Sequence, residues 1–269
     1  MQIEKAAGKK CRVYHYTDEM SDEFSAPSIK ARKIDDTYNY SMHTKFFCLK
    51  RFLLYRVIAT PLAYLFCKLK LGLKIKNKVV RKKASVPFFI YANHTQQTAD
   101  AYIQSLAFFP HDIFVITHAD NVSMPILRNS TAILGAIPLP DTKKAAHNFK
   151  ASMESHLKSG ACIAIYPEAH IWPYYTKIRP FPKDSFSYPV RYSMPVFAST
   201  TTYKKRRFFK KPRAVVYIDG PFFPDESLSY NERVEKLHRE VYLSMCKRAE
   251  ESNCEYIRYV KVVDADKSE

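Results

Sequence analysis

Two short stretches constrain this chain most: Asn93-His94-Thr95-Gln96-Gln97-Thr98-Ala99-Asp100 and Tyr166-Pro167-Glu168-Ala169-His170. Each follows an apolar run rich in strand-forming residues, 87–92 and 161–166. One strand ends by delivering a His and an Asp, and another ends in Pro-Glu. That pattern describes the loop edge of an α/β enzyme, where side chains for chemistry collect. An imidazole beside a carboxylate makes a general base, because the carboxylate selects the tautomer and stabilises the imidazolium. Such a base needs an acceptor with a proton to lose.

The rest of the pattern from residue 81 alternates strand and helix. Strands are expected at 86–92, 113–117, 161–166, 194–203 and 214–219, the last broken by Gly220-Pro221. Helices are expected at 98–108, 142–159 (Thr142 capping, Gly160 stopping) and 230–251, with a short one near 124–129. The segment 132–139 is apolar. This alternation predicts an α/β fold: a layered mixed sheet flanked by helices over residues 81–269.

Two segments precede it. Residues 1–40 are polar, with charges of both signs and no period, and are expected to be mobile or loosely attached. Residues 41–80 contain an apolar run interrupted by Arg56 and Pro61 and flanked by Lys50, Arg51, Lys68 and Lys70. A spanning helix needs ~20 mostly apolar residues. The interruptions favour an amphipathic helix–kink–helix lying in the membrane interface. The alternative is a pair of amphipathic helices packed on the main domain.

Net charge is +17, which suits anionic partners such as phospholipid headgroups, an acidic carrier protein or nucleic acid. The polar N-terminus does not read as a secretory signal, so the six Cys are expected to be reduced cytosolic thiols, with Cys162 packed inside a strand. The nine His show no metal-ligand spacing, and no metal is expected. The run Lys204-Lys205-Arg206-Arg207-Phe208-Phe209-Lys210-Lys211 lies between two strands. It reads either as a contact for anionic lipid or nucleic acid or as a solvated hairpin. Asp100, in a first helical turn, can reach back to His94; a plain loop His with a capping Asp is the alternative.

In order along the chain, these residues resemble the lysophospholipid and glycerol-3-phosphate acyltransferase family. Its first block, N-H-x-x-x-x-D, is similar to Asn93, His94 and Asp100, with one extra residue between His and Asp. Gly135-Ala136-Ile137-Pro138-Leu139 resembles the second block, whose phosphate-clamping Arg falls near Asp141 here. Tyr166-Pro167-Glu168-Ala169, with Arg179-Pro180-Phe181 downstream, resembles the third, and Met194-Pro195-Val196 the fourth. The third block's Gly-Thr is Ala169-His170.

The resemblance implies a membrane-associated O-acyltransferase at the cytoplasmic face of a membrane. His94 would be the general base, oriented by Asp100. Asn93 and Glu168 would contact the acceptor, and Lys143, Lys144 or Arg128 would replace the missing Arg. The donor would be acyl-CoA or acyl carrier protein, with no bound cofactor, and the acceptor a lysophospholipid or similar amphiphile. A non-catalytic lipid-binding relative and a basic nucleic-acid-binding protein are the competing readings.

Overall fold

A computed structural model describes residues 2–6, 9–25, 31–40, 45–83, 85–123 and 131–262. In chain order its elements begin with β1 (Gln2–Ala6), β2 (Lys9–Tyr16), α1 (Phe46–Leu71), β3 (Lys74–Lys76), β4 (Phe89–Ala92) and α2 (Asp100–Ala107). Next come β5 (Ile113–Thr117), β6 (Ala136–Pro138), α3 (Lys143–Lys158), β7 (Cys162–Ile165) and α4 (Ser187–Arg191). The chain ends with β8 (Val196–Lys204), β9 (Arg213–Phe222), α5 (Tyr230–Ala249) and β10 (Ile257–Lys261). The short helix expected near 124–129 lies outside the described residues.

Seven strands form one mixed sheet in the order β3-β9-β8-β4-β7-β5-β6. From β8 to β6 the strands are parallel; β9 runs antiparallel to β8, and β3 parallel to β9. Side chains alternate across the pleat and build two cores. Phe89, Tyr91, Ile163 and Ile165 meet Phe149 and Met153 of α3 and Leu237 and Val241 of α5. Phe88, Ile90, Cys162 and Ala164 face the other way, toward Ile103 and Leu106 of α2 and Cys67 and Leu71 of α1. Burial pushes the Cys162 thiol up to about 12, so it is an inert core residue.

Local signals account for the helix ends. The Thr142 side chain accepts from Ala145 N–H at 3.1 Å to start α3, and Ser229 with Glu232 forms a capping box on α5. The expected break at Gly220-Pro221 does not occur: β9 continues to Phe222. An irregularity in the pairing opposite Val196–Ala198 absorbs the disturbance. Gly220 sits at φ 114°, and a Cβ there would lie 2.9 Å from the Val196 carbonyl, so only glycine fits.

Two further expectations change. Residues 46–71 are one helix, not two flanking a kink. It relaxes into π-type turns over Phe52–Ala59, and Pro61 opens the next α-helical turn, where a missing N–H is tolerated. Nor is the N-terminal segment loose where it is described. β2 pairs with β1 and β10 in a second, three-stranded sheet. Ile34, Tyr38 and Tyr40 are buried, and Ile34 N–H donates to the Asp141 carboxylate at 2.6 Å while Asp141 N–H returns a bond to the Ile34 carbonyl. Partners more than a hundred residues away tie the segment down, which composition does not reveal.

Arg51 fastens the start of α1 to the sheet. Its guanidinium pairs with Asp112 at 2.7 Å, donates to the carbonyls of Ile133 and Ile113, and lies 3.9 Å from the Phe114 ring centre. Asp112 is half open to water, so the two buried carbonyls carry most of the effect of losing Arg51. Arg51→Ala is expected to lower stability by about 2–3 kcal/mol in urea unfolding.

Candidate active site

The C-terminal ends of the parallel strands mark the edge where the sequence motifs converge. β4 ends at Ala92, and Asn93 turns its side chain sideways. Its amide donates to the Thr201 carbonyl at 3.0 Å and accepts from Thr201 N–H at 2.8 Å. Asn93 is thus a buried clasp between β4 and β8, with no amide group turned toward an acceptor.

His94 follows. Its Nδ1 lies 2.7 Å from Asp100 Oδ2, with the His side chain 18% and the Asp side chain 4% exposed. The extra residue in this motif is absorbed by a turn: both Ala99 and Asp100 N–H groups donate to the Gln96 carbonyl, and Gln96 N–H donates to Asp100 Oδ2 at 2.9 Å. The pair therefore stays in contact despite the longer spacing. Burial raises the Asp100 pKa, opposed by His94 and the Gln96 and Thr95 backbone N–H groups. Asp100 is also the first residue of α2, where the helix dipole favours negative charge. Tyr166 stacks on the imidazole, with ring centres 4.5 Å apart, and its hydroxyl donates to the Asp100 carbonyl. Among the described residues Nε2 has no hydrogen-bond partner, so it is the ring atom left for a substrate.

Glu168 sits beneath this loop rather than in front of it. Its side chain is fully buried. Oε2 accepts from His94 N–H at 3.0 Å, and Oε1 accepts from Arg179 N–H at 3.0 Å. The Arg179 guanidinium, also fully buried, stands 3.4 Å from Oε2. Burial pushes the Glu168 carboxyl up, and Arg179 with the two backbone N–H groups pulls it back. All of its hydrogen-bonding capacity seen here faces protein, so its place is that of a support for His94, where contact with the acceptor was expected.

The remaining expected residues divide. Lys143 is exposed in the first turn of α3, on the same sheet edge but three strand spacings, ~14 Å, from β4. Lys144 is engaged with Asp36 at 2.8 Å. Arg128 lies outside the described residues. Among the described residues no group of His, Cys, Asp and Glu is arranged to hold a metal.

Tertiary structure adds partners that the motifs do not announce. The Tyr203 hydroxyl, at the end of β8, donates to the Thr95 carbonyl and meets Thr95 Oγ1 and Gln96 Nε2, each at 2.8 Å. Trp172 and Tyr174 N–H groups donate to the carbonyls of His94 and Thr95. Trp172 is fully buried; its indole donates to the Asp22 carbonyl, and its ring meets Phe24 of the N-terminal segment and Tyr259 of β10. The second sheet thus buttresses the loop that carries Glu168. Tyr203 follows Thr95 by 108 residues in a buried strand rich in Ser and Thr, and no local signal points to it.

Residues 73–201 match the family model Acyltransferase. The fold is similar to the crystal structure of the 1-acyl-sn-glycerophosphate (LPA) acyltransferase PlsC from Thermotoga maritima. That match has a TM-score of 0.53 at 16% identity and covers 78% of this chain and 89% of that one. No curated protein matches. Residues 73–201, a little under half of the chain, thus carry the Acyltransferase family match, and the likeness to the solved acyltransferase is one of fold.

Ala169, which stands where the family motif has Gly, adopts φ 61°. The left-handed conformation costs a non-glycine residue about 1–2 kcal/mol, partly offset by glycine's freer unfolded chain. Ala169→Gly is expected to raise stability by about 0.5–1 kcal/mol, read as a higher melting temperature. Glu168→Gln leaves Arg179 buried without its counter-charge and should lower stability by about 3 kcal/mol in the same measurement.

Proposed function

We propose that this protein is a membrane-associated O-acyltransferase. It moves a fatty acyl group from acyl-CoA or acyl carrier protein to a hydroxyl of a lysophospholipid or related amphiphile. The observation that carries the reading is the His94–Asp100 contact at 2.7 Å, which leaves Nε2 without a hydrogen-bond partner among the described residues.

In this mechanism Nε2 takes the proton of the acceptor hydroxyl as its oxygen attacks the thioester carbonyl carbon. Asp100 holds Nδ1–H and stabilises the imidazolium that forms. A backbone N–H at the strand end or a basic side chain stabilises the tetrahedral oxyanion. Collapse breaks the carbon–sulfur bond, the thiolate leaves with the proton from His94, and the ester remains. No acyl-enzyme and no cofactor are needed.

The membrane part rests on α1. Only 11% of its most apolar stretch is buried, and Phe46, Leu49, Phe52, Val57, Leu62 and Leu69 are each more than half exposed. An apolar surface of this extent is unfavourable in water and suits a bilayer interface. The same helix reaches the catalytic pair: Cys67 packs in one core with Ala99 and Ile103, and its thiol, pushed to about 11 by burial, also feels the Asp100 charge. A lipid acceptor would thus arrive beside His94. Both thioester donors are made and held in the cytosol, which puts the site at the cytoplasmic face.

The test is thiol release from palmitoyl-CoA and palmitoyl-carrier protein with lysophospholipids as acceptors. His94→Ala is expected to lower turnover at least ~10²-fold, and Asp100→Asn by a comparable factor with the fold intact. Unchanged turnover in His94→Ala would refute the mechanism.

A further inference from the structure

The loop between β8 and β9 is not used by the chemistry above, yet its composition is extreme. From 204 to 213 it carries seven Lys and Arg, no Asp or Glu, and Phe208-Phe209 at the centre. Phe208 is 83% and Phe209 63% exposed. Arg207 lies over the Phe208 ring at 5.3 Å and Arg206 over Phe209 at 4.9 Å, so the two rings are presented within a collar of cations.

Topology places this loop beside the catalytic edge. β8 runs parallel to β4, so its C-terminal end lies at the edge where β4 delivers His94. The last buried residue before the loop is Tyr203, whose hydroxyl supports Thr95 and Gln96. β3 runs parallel to β9, so the end of α1 reaches the same edge. There Arg206 donates to the Lys70 carbonyl at 3.3 Å, and its guanidinium lies where a Cβ on Gly72 would sit. From 68 to 83 the chain holds eight more Lys and Arg and no acid.

We infer that the 204–213 hairpin is a second membrane anchor, selective for anionic lipid. Phe208 and Phe209 enter the interface, and Lys205, Arg207, Lys210 and Lys211 meet the headgroup phosphates. With α1 it forms one docking surface that holds the His94 edge against the bilayer. The inference rests on the membrane reading above and adds the lipid class and a second contact. Charge complementarity selects the occupant: a patch this basic, with aromatics at its tip and an exposed apolar helix alongside, fits an anionic bilayer rather than a neutral one.

The experiment compares vesicles of phosphatidylcholine alone with vesicles of phosphatidylcholine and phosphatidylglycerol. Sedimentation should show the full chain binding the anionic vesicles more tightly. Phe208→Ser/Phe209→Ser should weaken that binding ~10-fold or more. Lys205→Gln/Arg207→Gln/Lys210→Gln/Lys211→Gln should weaken it ~10²-fold, with little change on neutral vesicles. Both variants should keep wild-type turnover, within about twofold, on short-chain soluble donor and acceptor, since neither touches the His94 site. The only native tryptophan, Trp172, is fully buried, so Phe208→Trp reports the tip directly and should shift its emission to the blue on anionic vesicles.

Hairpin variants that bind anionic vesicles as the wild type does overturn this inference and leave the α1 reading standing. A wild type that binds no vesicle overturns both. Equal binding to the two vesicle types removes the lipid selectivity. Tighter binding to duplex DNA than to vesicles, lost in the charge variant, assigns the loop to nucleic acid instead. Normal vesicle binding with turnover lost only on palmitoyl-carrier protein assigns it to the carrier.

Discussion

The buried carboxylate of Glu168 is the interaction on which the rest of the site depends. A charge taken out of water is stable only where donors replace the lost hydration. Here they are the backbone N–H groups of His94 and Arg179 and the Arg179 guanidinium. Arg179 in turn donates to the carbonyls of Glu19 and His170 and lies over Trp172. One carboxylate thus draws together the loop after β4, the loop after β7 and the N-terminal segment. The position of His94 follows from this, because its own backbone N–H is among the donors.

Around that hub the sheet supplies a common edge. Parallel strands end on the same side, so the His94 loop, the Glu168 loop and the end of β8 come together without any local sequence relation. β9 starts back from that edge, and β3, parallel to it, also starts there, which brings the end of α1 alongside. The apolar helix, the basic hairpin and the His94–Asp100 pair therefore share one side of the molecule. The other face of the sheet carries the packing of α3 and α5.

Much of this was legible in the residues. Apolar runs of four to six residues ending in turn-forming or polar groups mark β4, β5 and β7 to within a few positions, since parallel strands buried on both faces must be apolar throughout. The His94–Asp100 pair was legible because both lie on one short loop and its following turn. Other assignments needed the fold. Asn93 and Glu168 look like acceptor ligands in the sequence, because a polar residue at a strand end faces solvent unless something covers it. Thr201, Arg179 and the His94 backbone cover them.

By itself, the sequence determined the class of fold, the His94–Asp100 pair, the acyltransferase resemblance and the strongly basic, partly apolar surface. Those properties reside in local patterns, such as periodicity, motif order and charge, which survive without knowledge of contacts. Only the tertiary structure decided that Glu168 supports the His94 backbone, that residues 9–25 and 31–40 belong to the folded body, and that Tyr203 and Trp172 underpin the loop that carries His94. It also decided that the basic hairpin shares an edge with His94. Each of these is a pairing between residues far apart in the chain, and the cost of burying polar groups selects such partners only once the chain has closed on itself.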